Sequence, residues 1–390
     1  MIEIAGMAHG GDGVGRLEGK AVFVPGGLTG DLLETDLVED RGRFERHRLV
    51  RIVSPSPSRV DAPCPHASVC GGCAWQGAAQ QAQLDWKTEI VRSQLAHIGR
   101  IEAEVRPTME VGSPFRYRNR MDFRSSGGRP ALYEAGSHQP VPLDVCLLLV
   151  PRLRDAFDRI GDMGGLERLV LRAGSDEAVA VAFGEIPRDA RNWGLPVEST
   201  GTAVLHEVVD GVRFRISGTA FFQVNTSGAQ RLVDLVRSAA GVRSDDVLLD
   251  GFAGGGLFSA TVGGAAADVV AVESDRAALA DLRHNTQVRV LASTMGEALS
   301  AGRVDCDVAV VDPPRSGLGR VVVEGLAATH ARTVVSVSCD AASFARDARL
   351  FTEGGFRLEW AQPVDMFPQT PHVEVVGRFV RSEAASGSAT

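Results

Sequence analysis

VLLDGFAGGGLF, residues 247–258, is the most informative stretch of this 390-residue chain. Three apolar residues run into Asp250, glycines follow at 251, 254, 255 and 256, and Leu257 and Phe258 open a helical pattern. A strand, a Gly-rich turn and a helix start bring backbone N–H groups close to a ligand, and the helix N-terminus favours negative charge. Asp250, Gly254 and Gly256 read D-x-x-x-G-x-G. The next apolar run, VVAVE (269–273), ends in Glu273, where an acid can accept hydrogen bonds from both hydroxyls of a ribose. A dinucleotide and S-adenosylmethionine both fit this layout. The dinucleotide fingerprint asks for a third small residue where Ser259 stands. A Gly-rich turn without a ligand is the structural alternative.

Working outward, the helical pattern QRLVDLVRSAA (230–240) precedes this strand, and VAVVD (308–312) and TVVSVS (333–338) follow it. Short apolar runs alternating with helices predict an α/β fold with a parallel, doubly wound, Rossmann-like sheet over residues 216–380. Asp312 and Cys339 both fall at carboxyl ends of strands, the edge where open α/β sheets bind ligands. In DPPRSGL (312–318) two prolines stiffen the strand exit into a platform for a flat base. Cys339 stands where nucleophiles sit on such a sheet, whereas Cys306 reads as packing. Glu374 lies just inside the strand that ends DMFPQTPHVEVV (365–376), and alternation leaves its direction open.

Residues 1–55 show short strands broken by Gly and Pro, the pattern of a small β-barrel. SPSPSRVDAPCP (54–65) reads as a linker. A helical pattern over 78–99 places Leu84, Ile90, Val91, Leu95 and Ile98 on one face. Residues 115–220 read as mostly antiparallel strands with one helix around 151–160. The central domain is expected over 56–215, with part of 77–107 packed on the catalytic domain, and the polar tail 381–390 is expected to be disordered. No secretory signal and no membrane span is legible, which predicts a soluble cytoplasmic protein, by default a monomer.

Net charge is −8, which excludes nucleic-acid binding through bulk basicity. Two local patches stand out. Arg41, Arg43, Arg46, Arg48 and Arg51 face only Glu45, and Arg116, Arg118, Arg120, Arg124 and Arg129 face only Asp122. Each could line a phosphate track or be a solvated strand face. Phe115, Tyr117 and Phe123 interleave the second patch as base-stacking or core residues.

The chain resembles the uracil-5 RNA methyltransferases at FFQVN (221–225), DGFAGGG (250–256), AVES (271–274), DPPRSGL (312–318), SCDAASFARD (338–347) and DMFPQTPHVE (365–374). HGGDGVGRLEGKAVFVPGGLTGD (9–31) resembles a TRAM domain, an oligonucleotide-binding-type barrel. CPHASVCGGCAWQ (64–76) is similar to that family's iron–sulfur segment. The resemblance implies methyl transfer from S-adenosylmethionine to carbon 5 of a uridine in ribosomal or transfer RNA, ribosomal being favoured. It implies Cys339 as the nucleophile, Glu374 as the base, Phe252 and Glu273 as cofactor contacts, and Gln223 and Asp312 as groups orienting the uracil edge or the methionine end of the cofactor. The base must be flipped or unpaired to react.

Four positions depart from the family pattern. Asp340-Ala341 stands where Asn-Pro is usual, Ala253 replaces a Cys, and Leu257 a polar residue. A negative charge at Asp340 is expected to raise the pKa of its neighbour Cys339. Two other classes compete: an RNA-binding protein that has lost efficient catalysis, and an amino-methyltransferase that needs no cysteine nucleophile.

Of the six cysteines, Cys64, Cys70 and Cys73 fall within ten residues, and Cys146 is the fourth candidate by elimination. Zinc and a four-iron, four-sulfur cluster both accept four thiolates, so spacing does not separate them. The resemblance favours the cluster.

Overall fold

The computed structural model describes residues 1–199 and 202–382. The disorder expected for 381–390 is corrected at Arg381, which ends the last strand and donates to the carbonyls of Ala327, Thr329 and Ala331; residues 383–390 lie outside the described residues. β1 (Ile2–Met7), β2 (Gly13–Leu17), β3 (Lys20–Val24), β4 (Leu32–Asp40) and β5 (Phe44–Ser54) close a barrel in the order β1-β2-β3-β5-β4. Alternation fills it: Ile2, Ile4, Val22, Val24 and Leu33 point inward and are buried. The Pro-rich stretch after β5 is tied back to the barrel. Buried Asp31 accepts from the backbone of Ser56 at 2.8 Å and from Arg59 Nε at 2.8 Å.

Helix α1 (Gln80–Gln94) follows, and then one wider π turn over Leu95–Gly99. Leu84, Ile90, Val91 and Leu95 are buried as expected, but Ile98 is exposed. The extra residue in the π turn rotates Ile98 off the buried face. After β6 (Glu104–Val105), the central region contains β7 (Arg120–Ser126), β8 (Arg129–Tyr133), β9 (Pro140–Pro142), α2 (Pro151–Phe157), β10 (Leu166–Ala173), β11 (Ala178–Gly184) and β12 (Val197–Glu198). Among the described residues these strands form one sheet, antiparallel except for the β11–β12 pair. β13 (Val204–Val209) and β14 (Val212–Ser217) form a separate hairpin. Its Val209, Phe214 and Ile216 pack with the helix that follows rather than with the central sheet.

The C-terminal half supplies α3 (Thr226–Ala240), β15 (Val247–Gly251), α4 (Leu257–Thr261), β16 (Asp268–Glu273), α5 (Arg276–Asn285), β17 (Arg289–Ala292), α6 (Met295–Ser300), β18 (Val308–Val311), α7 (Gly319–Ala327), β19 (Thr333–Ser338), α8 (Ala341–Glu353), β20 (Phe356–Val364) and β21 (Glu374–Arg381). The sheet order is β17-β16-β15-β18-β19-β21-β20-β6. Its central strands β15, β16, β18 and β19 are buried on both faces, which explains their unbroken apolar runs, whereas β17 and β6 at the edges are partly exposed. Leu249, Ala309, Val311 and Val334 pack toward α1, α7 and α8, while Leu248, Val308, Val310 and Val335 pack toward α3. The expected all-parallel sheet is corrected at one side, where β21 runs antiparallel between β19 and β20. Loop 365–373 joins β20 to β21 and is shorter than the dozen or so residues that a parallel crossover needs. No described helix is long and apolar enough to cross a membrane.

Candidate active site

Cys339 sits at the corner between β19 and α8. Asp340 is extended there and caps α8 by accepting from Ser343 N at 2.8 Å. The β19–β21 register ends at the pair Ser338–Val375, so Cys339 and Glu374 follow at the same end of the two strands, close enough for the carboxyl to act on the thiol. The direction of Glu374, open in the sequence, is inward: it is 3% exposed. Because β21 runs antiparallel, its first residue lies on the same rim as the last residues of the parallel strands.

Charge on this rim is crowded. Burial pushes the Cys339 thiol up to about 12, Glu374 and Asp312 add to the rise, and Arg315 opposes it. Burial also lifts Glu374 well above the usual carboxyl range, with Asp312 reinforcing it. Asp312, immediately after β18, is pushed up to about 7 by burial and by Asp250. Gln223 Nε2 stands 3.5 Å from Asp312 Oδ2.

Asn225 of the same FFQVN segment caps α3 by accepting from Gly228 N, and donates to Met366 O at 3.1 Å. It thus ties the Gln223 segment to the loop that leads to Glu374. Arg315 is 3.0 Å from His372 Nδ1. Sequence reasoning passed over Asn225 and Arg315, although both lie inside quoted motifs; a polar residue before a helical run was the signal for the first.

The expectation for Asp340 is corrected. Its carboxylate is engaged by His9 Nε2 at 2.9 Å and by Ser343 N, and these hold its pKa well below the ordinary carboxylate range. The charges that raise Cys339 most are Glu374 and Asp312 instead.

The glycine-rich turn lies on the same rim. Phe252 (φ 60°), Gly254 (φ 55°) and Gly256 (φ 89°) all take left-handed backbone, which for Phe252 is sterically costly. A Cβ on Gly254 would meet nothing within 4 Å, so the space over the turn is open. Gly254 N donates to Glu273 Oε2 at 2.9 Å, and Ser274 N and Asp275 N donate to Oε1 at 2.6 and 2.7 Å. Ser259 donates twice to buried Asp250 Oδ2, leaving Oδ1 without a hydrogen-bond partner among the described residues.

Cys64, Cys70, Cys73 and Cys146 line one pocket of about 50 Å³, together with His66 and Arg118. Burial raises the thiols of Cys70, Cys73 and Cys146, that of Cys73 to about 12. Among the described residues, no three His, Cys, Asp or Glu side chains stand at the spacing of a single metal ion's ligands. Cys306 is buried against Thr329, as the packing reading expects.

The Arg patches are weaker phosphate tracks than their sequence suggested. Arg41, Arg46, Arg48 and Arg51 pair with Glu39, Asp12, Asp36 and Glu34, which neighbouring loops and strands bring alongside. In the second patch, Arg120 and Arg129 pair with Asp122 and Asp144. Tyr117 and Phe123 are core residues. A larger groove, about 920 Å³, opens between the barrel and α1 and is lined by His9, Arg16, Phe23 and Gln94.

No protein-family profile matches the chain. An uncharacterised RNA methyltransferase of Gloeobacter violaceus is 34% identical over 441 aligned positions, spanning 98% of this chain and 96% of the relative. The chain belongs to the RNA methyltransferase family. A second such methyltransferase, from Thermosynechococcus vestitus, is 31% identical to it and covers 98% of both chains. Among solved structures, the methyltransferase is similar to Pyrococcus abyssi tRNA (uracil-54, C5)-methyltransferase in complex with S-adenosyl-L-homocysteine. That match has a TM-score of 0.76 and 25% identity, and covers 97% of this chain and 99% of the other.

Proposed function

We propose that this methyltransferase moves a methyl group from S-adenosylmethionine to carbon 5 of a uridine in structured RNA, through a transient bond between Cys339 Sγ and carbon 6. The closeness of Cys339 to buried Glu374 on the rim carries this reading. The glycine-rich turn fits the cofactor: it is open above Gly254, and Glu273 Oε2, which accepts only from Gly254 N, keeps a lone pair for a ribose hydroxyl. Phe252 and Glu273 would contact it, with Gln223 and Asp312 orienting its methionine end or the uracil edge. When bound, it supplies a methyl group on a sulfonium, an electrophile that carbon 5 of an intact uracil is too weak a nucleophile to use.

Cys339 remedies that weakness. Its thiolate adds to carbon 6, and the electron pair of the C5–C6 double bond moves onto carbon 5 and the neighbouring carbonyl oxygen. Once carbon 5 carries the new methyl group, the Glu374 carboxylate takes the remaining C5 proton. The double bond re-forms, and the C6–S bond breaks to return the thiolate.

Both groups are harder to ionise than usual here, so their reactive forms gain as pH rises. The kcat/KM for RNA is expected to climb between about pH 6 and pH 9, by up to roughly tenfold per unit for each group still below its pKa. A flat or falling profile would contradict these assignments. The discriminating experiment is incubation with 5-fluorouridine RNA, in which fluorine replaces the proton that Glu374 must remove. A covalent protein–RNA adduct mapped to Cys339 supports the mechanism. Methyl transfer to a ring or exocyclic nitrogen with no adduct refutes it, as does RNA binding without turnover.

The barrel is proposed as a TRAM-like RNA-binding module, since it packs against the catalytic rim. The Pyrococcus enzyme acts on transfer RNA, and its match extends through the barrel, so this architecture does not by itself favour ribosomal RNA. Mapping 5-methyluridine in RNA from cells lacking the protein identifies the target.

Four thiols around one pocket support the proposal that Cys64, Cys70, Cys73 and Cys146 hold a four-iron, four-sulfur cluster. These four thiolates would hold it, and when bound it would supply the positive charge that buried thiolates need and would link the segment 64–76 to Cys146 of the central region. Protein purified without oxygen is expected to contain about four iron and four sulfide per chain, with Cys73→Ser losing most of both. Stoichiometric zinc without sulfide would favour the alternative metal.

A further inference from the structure

The nucleophile is followed by an acid, Asp340, yet the carboxylate of that acid does not stand free beside it. His9 reaches it from the loop between β1 and β2, at 2.9 Å. Asp340 Oδ2 can only accept, so His9 Nε2 carries the proton. The contact is part of a wider seat of the barrel on the rim. Gly11, two residues on, takes φ 96°, and a Cβ there would come within 2.8 Å of Pro371. Its carbonyl accepts from Trp75 Nε1 at 3.1 Å. The barrel loop therefore touches both segments that carry the proposed chemistry, the Cys339 corner and the loop before Glu374.

We propose that His9 is a positioning residue of the active site, a hydrogen-bond donor lent by the barrel that holds and partly offsets the Asp340 carboxylate and so keeps that acid from opposing the neighbouring thiolate. This deepens the functional reading above and rests on Cys339 being the nucleophile. The charged groups that act most on the thiol are Glu374 from β21 and Asp312 and Arg315 from the loop after β18; Asp340 is its neighbour in the chain at the start of α8, and His9 reaches Asp340 from the barrel. Of these, His9 is the one contributed by the barrel. Seating of the barrel and readiness of the sulfur are thereby coupled across a domain contact.

The test is the rate at which iodoacetamide alkylates Cys339 in the full-length protein, followed by peptide mass spectrometry at one pH near neutrality. This readout needs neither RNA nor turnover, so it stays informative even if uridine is not the substrate; failure of the functional reading would show separately, as no adduct with 5-fluorouridine RNA. His9→Ala is expected to slow alkylation about three- to tenfold, the consequence of a rise of roughly half to one unit in the thiol pKa. His9→Gln, which can still donate to Asp340, should recover most of the rate. The deciding variant is His9→Ala combined with Asp340→Asn. Removing the uncompensated charge should return alkylation to within about twofold of the intact protein. If His9→Ala leaves the rate unchanged, or the double variant stays as slow as His9→Ala, charge compensation is wrong and the contact is structural only.

Discussion

Cys339→Ala is expected to abolish methyl transfer to uridine RNA, by at least about three orders of magnitude in kcat. Nothing else on the rim can replace it. Glu374 and Asp312 are carboxyls, too weakly nucleophilic toward carbon 6, and Cys306 is buried away from the rim against Thr329. RNA affinity should change little, because one sulfur is a small part of a contact surface that includes the barrel. Glu374→Gln is expected to fail differently. The thiolate still adds and carbon 5 is still methylated, but the C5 proton stays and the C6–S bond cannot break. A methylated, covalent protein–RNA complex should therefore accumulate with unmodified uridine RNA and survive denaturing electrophoresis. Full turnover by either variant, measured by methyl incorporation, would refute the roles given to these two residues.

Lys87→Ala is expected to destabilise the fold by about 3–5 kcal/mol, the usual consequence of leaving one half of a buried ion pair behind. Lys87 Nζ and Asp365 Oδ1 form an ion pair in which both side chains are fully buried. The ammonium also donates to Phe367 O at 3.1 Å, and Gln80 Nε2 donates to Asp365 Oδ2 at 3.0 Å. Burial holds Lys87 below its ordinary pKa despite Asp365, so desolvation outweighs the attraction between the two. The pair is thus a poor stabiliser and a strict locator, pinning the start of loop 365–373 to α1. Urea unfolding should show the loss for Lys87→Ala. Lys87→Met with Asp365→Leu should recover much of the stability, without restoring the donor to Phe367 O, and so without full methyl transfer. A loss below about 1 kcal/mol for the single variant would mean that the site is hydrated.

How far each feature was legible follows from the range of the forces behind it. Strand VLLD and its neighbours were readable because an apolar run buried on both faces has no polar residue to confuse it. The open turn at Gly254 was readable because left-handed backbone selects glycine. Phe252 shows the limit, since its left-handed φ goes against its side chain and had no local signal. Lys87 was invisible for the same reason in reverse: a lysine on an amphipathic helix reads as solvated until its partner, 278 residues away, is seen. The arginine patches stayed ambiguous in the sequence because most of the acids that pair with them lie on adjoining strands and loops.

By itself the sequence determined the alternation of strands and helices, the barrel, the cysteine spacing and the candidate nucleophile, all of which depend on local pattern and residue chemistry. Only the tertiary structure decided that Glu374 is buried at the strand end next to Cys339, that four cysteines share a pocket, and that Asp340 is met by His9 from the barrel. Those are juxtapositions set by strand order and the packing of the barrel, and periodicity along one segment carries no information about which distant side chain will meet it.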